Sequence, residues 1–252
     1  MMGEIRQRRF GFLLVAAALM AVVWPTAASR GDEAGFVPIF NGTSLEGWEG
    51  KQEFWRVEDG AIVGQTTPEN PTKGNTFLIW RQGLLDDFEL VLQYRLTGGN
   101  SGIQYRSKDF GDFVVGGYQG DFESGTKYSG ILYEEKGRGI LALRGERVTI
   151  KPDGTKEKGE PIGDSAALQA AIKPGEWNSY RIVARGPKLQ HFINGQLMSE
   201  TLDEQADKRS LEGVLALQVH AGPPMKVEFK DIRLKRLKLA DGRKKLVMLA
   251  GR

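Results

Sequence analysis

The 252-residue sequence contains no cysteine. No disulfide can therefore stabilise the fold, and the hydrophobic core must do so alone. Histidine is almost as scarce, with only His191 and His220 in the chain. No metal-ligand spacing is present. The two histidines and several Asp and Glu residues nevertheless leave open a divalent metal ion as cofactor, and no cofactor is firmly implied.

Long hydrophobic runs are also missing, except at the amino terminus. Basic residues at positions 6, 8 and 9 precede an apolar run over 10–24, and small residues follow at 27 and 28. This order predicts a secretory signal peptide over 1–28. The run is short for a bilayer span, which needs about 20 residues. We expect export to the periplasm or the cell exterior, with no membrane span in the mature chain.

The formal charge of +3 hides an acidic body. The signal segment carries three Arg and one Glu, and the segment 235–252 carries seven basic residues and one acidic residue. Subtracting both from 35 basic and 32 acidic residues leaves 25 basic and 30 acidic residues, a net charge of −5. Such a body has no nucleic-acid footprint. The basic segment 236–252 is interpreted as a solvated tail or as the opening of a fused further domain.

Helix signals are few, whereas strand signals recur along the chain. Apolar and polar residues alternate over 88–96, 215–219 and 227–234, which is the period of a half-buried strand. The pair Asn194-Gly195 predicts a tight hairpin. One short helix is expected near 164–172, capped by Asp164 or Ser165. The sequence therefore predicts an all-β fold, a mostly antiparallel β-sandwich in one domain.

One segment places polar residues where packing does not require them. In GGNSGIQYR (98–106), the strand phase that turns Ile103 and Tyr105 toward the core turns Gln104 and Arg106 away from it. The same phase argument applies to other strands, and it predicts a shared concave face with Gln, Arg, Asp and His side chains. The residues predicted on this face are Gln104, Arg106, Gln119, Asp121, Gln218 and His220, joined by Tyr133 and Glu134 from the stretch 130–135.

Six motifs in a fixed order carry a resemblance to a known family. They are FVPIFNGTSLEGW (36–48), GGNSGIQYR, GGYQGDF (116–122), YSGILYEE (128–135), HFINGQ (191–196) and the stretch 215–235. Together they resemble the 3-keto-disaccharide hydrolases, also described as 3-keto-glucoside 1,2-lyases and 3-keto-2-hydroxy-glucal hydratases. The resemblance covers residues 36–235. It implies a concanavalin A-like jelly-roll sandwich and an exported enzyme whose partner is a small oxidised sugar.

The residue types suit cleavage of a 3-keto-glycoside. The ketone acidifies the C2 hydrogen, so the reaction needs a base, an electrophile at the ketone oxygen and an acid for the leaving oxygen. We expect Arg106 to be the electrophile, with His220, Asp121 or Glu134 as base and acid. Gln104, Gln119, Tyr133 and Gln218 are expected to bind substrate. A metal ion could replace Arg106. The E-x-D-x-x-E carboxylates of laminarinase-type glycosidases are absent from the sequence.

Two other interpretations stay open at the level of the sequence. The domain could be a non-catalytic carbohydrate-binding module on a lectin-like sandwich, or an interaction domain fused to something larger. Aromatic and Gln contacts alone would suffice for binding, whereas the combination of Arg, Asp and His favours the enzyme. His191 shares the strand phase of Leu189 and Ile193, which favours a core histidine. The tryptophans of the body are expected in the core rather than stacked on sugar rings.

Overall fold

The computed structural model describes residues 34–237. The predicted signal peptide and residues 238–252 of the basic tail lie outside the described residues. From Gly35 onward the described residues belong to one compact unit. Within this part of the chain, no helix is long and apolar enough to cross a membrane.

The secondary structure is almost entirely extended, as the alternating pattern predicts. The helix α1 spans Ser165–Ala170. The strands are β1 (Val37–Pro38), β2 (Trp48–Glu49), β3 (Trp55–Glu58), β4 (Ala61–Gln65), β5 (Thr76–Leu85), β6 (Phe88–Thr97), β7 (Asn100–Asp109), β8 (Val115–Glu123), β9 (Leu132–Glu135), β10 (Gly139–Ala142), β11 (Arg147–Ile150), β12 (Lys156–Lys158), β13 (Asn178–Arg185), β14 (Lys188–Ile193), β15 (Gln196–Asp203), β16 (Gly213–Val219) and β17 (Lys226–Arg236).

The strands form two sheets. The ten-stranded sheet has the order β12-β11-β15-β14-β13-β6-β17-β4-β3, and β1 pairs with β17 beside this path. The seven-stranded sheet has the order β10-β9-β8-β7-β16-β5-β2. The pairing of β11 with β15 is parallel, whereas the other strand pairs of the described residues are antiparallel. The predicted antiparallel, all-β architecture is confirmed.

The core lies between the sheets. On the seven-stranded sheet, Ile103, Tyr105 and Leu217 point inward, and on the ten-stranded sheet, Leu92 and Tyr180 do so; all are essentially inaccessible to solvent. They belong to one continuous apolar cluster. Side chains of alternate parity on the seven-stranded sheet therefore point to its outer face, because successive residues of a strand point to opposite sides.

Two local predictions are confirmed. Asn194 and Gly195 both have positive φ, 49° and 80°, which is the conformation of a two-residue turn matched to strand twist, and they connect β14 to β15. The helix α1 has Asp164 as its N-cap, whose side chain accepts a hydrogen bond from the backbone N–H of Ala167 at 2.8 Å. An Asp at this position satisfies one of the free N–H groups of the first turn.

Candidate active site

A cavity of about 280 Å³ opens on the outer face of the seven-stranded sheet. We call it the Asp121 cavity. Strands β8 and β9 form its floor, and the segments preceding β5 and following β16 close one side. Four of the predicted site residues line it. Its polar lining consists chiefly of Asn100, Gln119, Asp121, Tyr133, Glu135 and His220.

Asp121 is the carboxylate most enclosed by this cavity, with 6% of its surface exposed. Its Oδ1 accepts a hydrogen bond from Gln119 Nε2 at 3.1 Å. Its Oδ2 accepts one from Asn100 Nδ2 at 3.4 Å. Both donors are neutral amides, and no Lys, Arg or His side chain of residues 34–237 forms an ion pair with this carboxylate. The carboxylate is held in place while its basicity is left high.

The environment of Asp121 raises its pKa to about 7. Burial is the largest cause, and the nearby charges of Glu123 and Glu135 raise it further, while the hydrogen bonds from Asn100 and Gln119 act in the opposite direction. A carboxyl group with a pKa near the working pH can accept a proton and release it again. This combination is typical of a catalytic acid or base.

A chain of hydrogen bonds fixes the orientation of Gln119. Its Oε1 accepts from Gln104 Nε2 at 2.8 Å, and Gln104 Oε1 accepts from the Ser107 hydroxyl at 2.6 Å. Both glutamines are buried. Gln119 can therefore present its amide N–H group to Asp121 without rotating. Gln104 was expected to bind substrate, but the structure places it behind Gln119, where it positions that side chain.

His220 lies at the edge of the Asp121 cavity, directly after β16. Its backbone N–H donates to Met225 Sδ at 3.3 Å, and the next N–H, that of Ala221, donates to Asn75 Oδ1 at 3.0 Å. Asn75 also donates to Glu135 Oε2 at 3.5 Å. The turn after β16 is thus fixed on both sides. His220 lines the cavity together with Asp121.

Tyr133 and Glu135 reach the cavity from the same face of β9. Tyr133 lies opposite Gln119 across the β8–β9 pair. Burial, followed by the negative charges of Glu135 and Asp121, raises the pKa of the Tyr133 phenol. The phenol therefore keeps its proton at neutral pH and can donate a hydrogen bond into the cavity.

The structure does not bring Arg106 to this cavity, and its predicted role as electrophile is corrected. Arg106 has φ 47° and lies at a β-bulge, where the β7–β8 register shifts between Tyr105 and Lys108. The extra residue of a bulge reverses the strand phase that follows it. The Arg106 side chain consequently points into the sandwich. It donates to the carbonyl oxygens of Asp86 and Gly186 and to the Asp87 carboxylate, at 2.6–2.9 Å.

Glu134 is also separated from the Asp121 cavity. It lies on the opposite face of β9 from Tyr133 and Glu135, and its carboxylate pairs with Arg138, with Nε and Oε2 at 2.7 Å. Arg138 in turn binds Asp203 at 2.6 Å. Glu134 is therefore part of an ion-pair network outside the Asp121 cavity, and its predicted catalytic role is corrected. Glu135 is the carboxylate of β9 that faces the cavity.

Gln218 faces the same side as Gln119 but is fully buried. Neither its Nε2 nor its Oε1 has a hydrogen-bond partner within the described residues. It is absent from the cavity lining, so the structure does not place it as a direct substrate contact. A buried amide without hydrogen-bond partners lowers the stability of the fold. An ordered water molecule usually supplies the missing hydrogen bonds at such a position.

His191 lies in the core, as its strand phase predicts. Its side chain is 1% exposed, with Nε2 2.9 Å from the Tyr105 hydroxyl and Nδ1 3.2 Å from the Ile131 carbonyl oxygen. Burial lowers its pKa to about 4. His191 is therefore neutral at neutral pH and connects the two sheets rather than serving the cavity.

Sequence reasoning missed four polar residues of the cavity, namely Asn75, Asn100, Tyr128 and Glu135. Two of them had a signal. Glu135 shares the strand phase of Tyr133, and Asn100 shares that of Gln104. Asn75 precedes β5 and reaches the site through tertiary contacts, which no local pattern encodes. Among residues 34–237, no group of three or more His, Asp or Glu side chains is arranged to hold a metal ion.

Comparisons with known proteins agree with this architecture. The family model of the 3-keto-alpha-glucoside-1,2-lyase-like domain matches residues 35–235. Two provisionally named glycosyl hydrolases from Parabacteroides distasonis have similar structures. One has a TM-score of 0.54 at 19% identity, over 84% of this chain and 98% of that chain. The other has a TM-score of 0.52 at 17% identity, over 80% and 99%.

A third similar structure is a Bacillus subtilis protein of unknown function with a galectin-like fold. Its TM-score is 0.51 at 8% identity, over 78% of this chain and 92% of that chain. These likenesses support the fold alone, since all three identities are low. A search of the curated proteins found no match.

Proposed function

Because the chain belongs to the 3-keto-alpha-glucoside-1,2-lyase-like family, we propose that it cleaves the glycosidic bond of 3-keto-glycosides or 3-keto-disaccharides by elimination, with Asp121 as the base. One observation carries the proposal. Asp121 is a buried carboxylate with a pKa near 7, held by two amides in a cavity that also contains His220 and Tyr133. The galectin-like neighbour further supports our assignment to the concanavalin A-like jelly rolls.

The proposed first step is proton removal from C2. The ketone at C3 makes this hydrogen acidic, and the Asp121 carboxylate accepts the proton, so that an enediolate forms over C2 and C3. Hydrogen-bond donors near the ketone oxygen stabilise the developing charge. The Tyr133 phenol and the Asn100 amide are the donors that the cavity offers, in place of Arg106.

The second step breaks the bond between C1 and the leaving oxygen. The electron pair of the enediolate forms the C1–C2 double bond, and the leaving oxygen takes a proton from an acid. His220 is our candidate for this acid, because it lines the same cavity and its backbone is fixed. Addition of water across the double bond then completes a net hydrolysis. If the reaction stops before water is added, the protein acts as a lyase.

The test compares the reaction of two substrates that differ only at C3. Purified mature protein is incubated with a 3-keto-glucoside and with the parent glucoside, and release of the C1 substituent is followed. We expect release from the keto form only. Asp121→Asn keeps the shape of the side chain but cannot accept the proton, so release should fall by at least a hundredfold. Saturable binding of the keto form without release would instead assign the chain to the carbohydrate-binding modules.

A further inference from the structure

A second cavity adjoins the first at the end of β9, and side chains from both faces of that strand line it. Its volume is about 510 Å³, and it lies around Phe110, Gly116 and Lys136. We call it the Phe110 cavity. Glu135 lines both cavities and is therefore their common wall. From Asp121 to Gly117 the strand β8 covers four residues, or roughly 13 Å, which is longer than one pyranose ring.

Phe110 forms an exposed aromatic surface in this cavity. Its side chain is among the few large apolar groups that face solvent, with 53% exposure. A Cβ atom at Gly116 would lie 3.0 Å from its ring, so the ring packs over that glycine. The turn that carries it is fixed by hydrogen bonds between Phe110 and Val114, and between Val114 and Gly111. Lys108 Nζ lies 5.2 Å from the centroid of this ring. Because Lys108 is exposed, its ammonium group can move aside and leave the ring to stack on the apolar face of a sugar.

Three exposed lysines surround the same cavity, namely Lys108, Lys136 and Lys208. None of them has an ion pair with a carboxylate within residues 34–237. Some exposed lysines elsewhere on the molecule do have such partners, as Lys158 has Glu146 and Lys188 has Glu200.

Of the other charged side chains that line the cavity, three are paired, and Glu135 has no ion pair within residues 34–237. Arg106 pairs with Asp87, and Arg138 pairs with Glu134. The three lysines therefore give a local positive potential on a body whose net charge is −5.

We propose that the Phe110 cavity is the subsite for the leaving group of the substrate, and that this leaving group is a sugar bearing a negatively charged substituent. The ring of Phe110 would stack on the sugar, and Lys108, Lys136 and Lys208 would bind the anionic group. This inference rests on the proposed function, because it places the scissile bond near Glu135, between the two cavities. Carboxylate, sulfate and phosphate substituents share the required chemistry.

The direct test compares two substrates that differ by one group. Both are 3-keto-glucosyl disaccharides, one with glucose and one with glucuronate as leaving group. We expect the wild-type protein to have a kcat/KM about tenfold or more higher for the glucuronate form at low salt, and this preference should fall toward unity in about 0.5 M salt because the lysines are exposed. Leaving groups with 6-sulfate and 6-phosphate substituents then distinguish the anions.

Variants identify the residues that produce the preference for the charged leaving group. Each of Lys108→Gln, Lys136→Gln and Lys208→Gln should lower kcat/KM for the charged substrate about two- to fivefold, and the triple variant about twentyfold, with the neutral substrate changed less than twofold. Lys173→Gln, at another exposed lysine, is the matched control and should change neither. Phe110→Ala should raise KM for both substrates.

Binding of the unoxidised disaccharides separates this inference from the proposed function. These compounds cannot eliminate, so their dissociation constants report the subsite alone. Tighter binding of the glucuronate form, lost in the triple lysine variant, supports the subsite even if no keto-sugar is cleaved. Equal binding and equal kcat/KM for charged and neutral forms would overturn the inference and leave the proposed cleavage standing.

Discussion

At the scale of single residues, burial changes the acidity of a carboxylate. Asp121 is 6% exposed and has neutral amide partners, so its charged form is poorly solvated and its pKa rises to about 7. Asp203 is also buried, but its charge is compensated because it accepts a hydrogen bond from Arg138. An uncompensated charge of the first kind destabilises the fold at the pH where it acts.

This gives a prediction about stability. A folded pKa of about 7 exceeds the unfolded value of 3.8, so the wild-type protein binds an extra proton when folded. The contribution of this proton to the free energy of unfolding is complete below about pH 4. It disappears as the pH rises to about 7. Asp121→Asn does not titrate. Relative to wild type it should gain stability between pH 4 and pH 8, on the order of 4 kcal/mol at most.

Thermal unfolding of both proteins at pH 4, 6 and 8 measures this gain. The difference between the variant and the wild type should grow with pH and level off above pH 7. A difference that is constant across this range would show that Asp121 has an ordinary pKa, and it would remove the main support for its role as base.

A second prediction concerns Arg106. Arg106→Ala leaves Asp87 buried without its guanidinium, and breaking a buried ion pair in this way typically costs about 3–5 kcal/mol. We expect a large drop in the free energy of unfolding by urea. At a temperature where the variant is folded, kcat should change less than threefold. A hundredfold loss of kcat in a folded variant would restore Arg106 as an electrophile.

Much of the site could be predicted from the phase of residues along the strands. The errors of that prediction have local structural causes. Asp121 and Gln119 face the cavity because β8 is regular between them. Arg106 does not face the cavity, because its own positive φ reverses the strand phase. No sequence pattern predicts this bulge. The sequence analysis predicts Glu134 as the catalytic carboxylate of β9, although the strand phase of Tyr133 favours Glu135. The correct carboxylate was therefore available from the sequence.

At the scale of elements, β7 and β8 together determine the position of the base. Gln119 lies over Gly102, where a Cβ atom would come within 2.4 Å of its Cδ. The Gln119 side chain is buried and hydrogen-bonded at both ends, so it cannot easily move aside. Gly102 thus leaves the space in which Gln119 reaches Asp121.

The third prediction follows from this contact. Gly102→Ala should displace Gln119 and weaken its hydrogen bond to Asp121. That bond lowers the pKa of Asp121, so the midpoint of the kcat/KM–pH profile should lie at a higher pH in the variant than in the wild type. Gly159→Ala, whose Cβ would meet Arg147 only at 3.6 Å or more, is the control. An unchanged midpoint in Gly102→Ala would show that Gln119 does not tune the base.

The elements themselves were largely predictable. The Asn194-Gly195 turn, the Asp164 cap and the strands β6, β16 and β17 follow from local chemistry. The pairing of β11 with β15 does not, because these strands are about fifty residues apart and parallel. The contribution of Asn75 to the site has the same origin. Long-range pairing is decided by packing of the whole sandwich rather than by local pattern.

At the scale of the whole molecule, the absence of cysteine is consistent with a fold stabilised by one large core between two sheets. The amino-terminal pattern predicts that this sandwich is exported and that the mature chain begins near Ser29. Mass spectrometry of protein from the periplasm or medium should give a chain that lacks residues 1–28. A soluble protein with Met1 intact would contradict export.

The central claim is that Asp121 removes the C2 proton of a 3-keto-glycoside. The most direct test follows the C2 hydrogen by NMR in deuterated water, with wild-type protein and Asp121→Asn. We predict that wild type exchanges this hydrogen and releases the C1 substituent, that Asp121→Asn does neither, and that the unoxidised glycoside is inert. Rapid hydrolysis of the unoxidised glycoside, without C2 exchange in the keto form, would contradict the account.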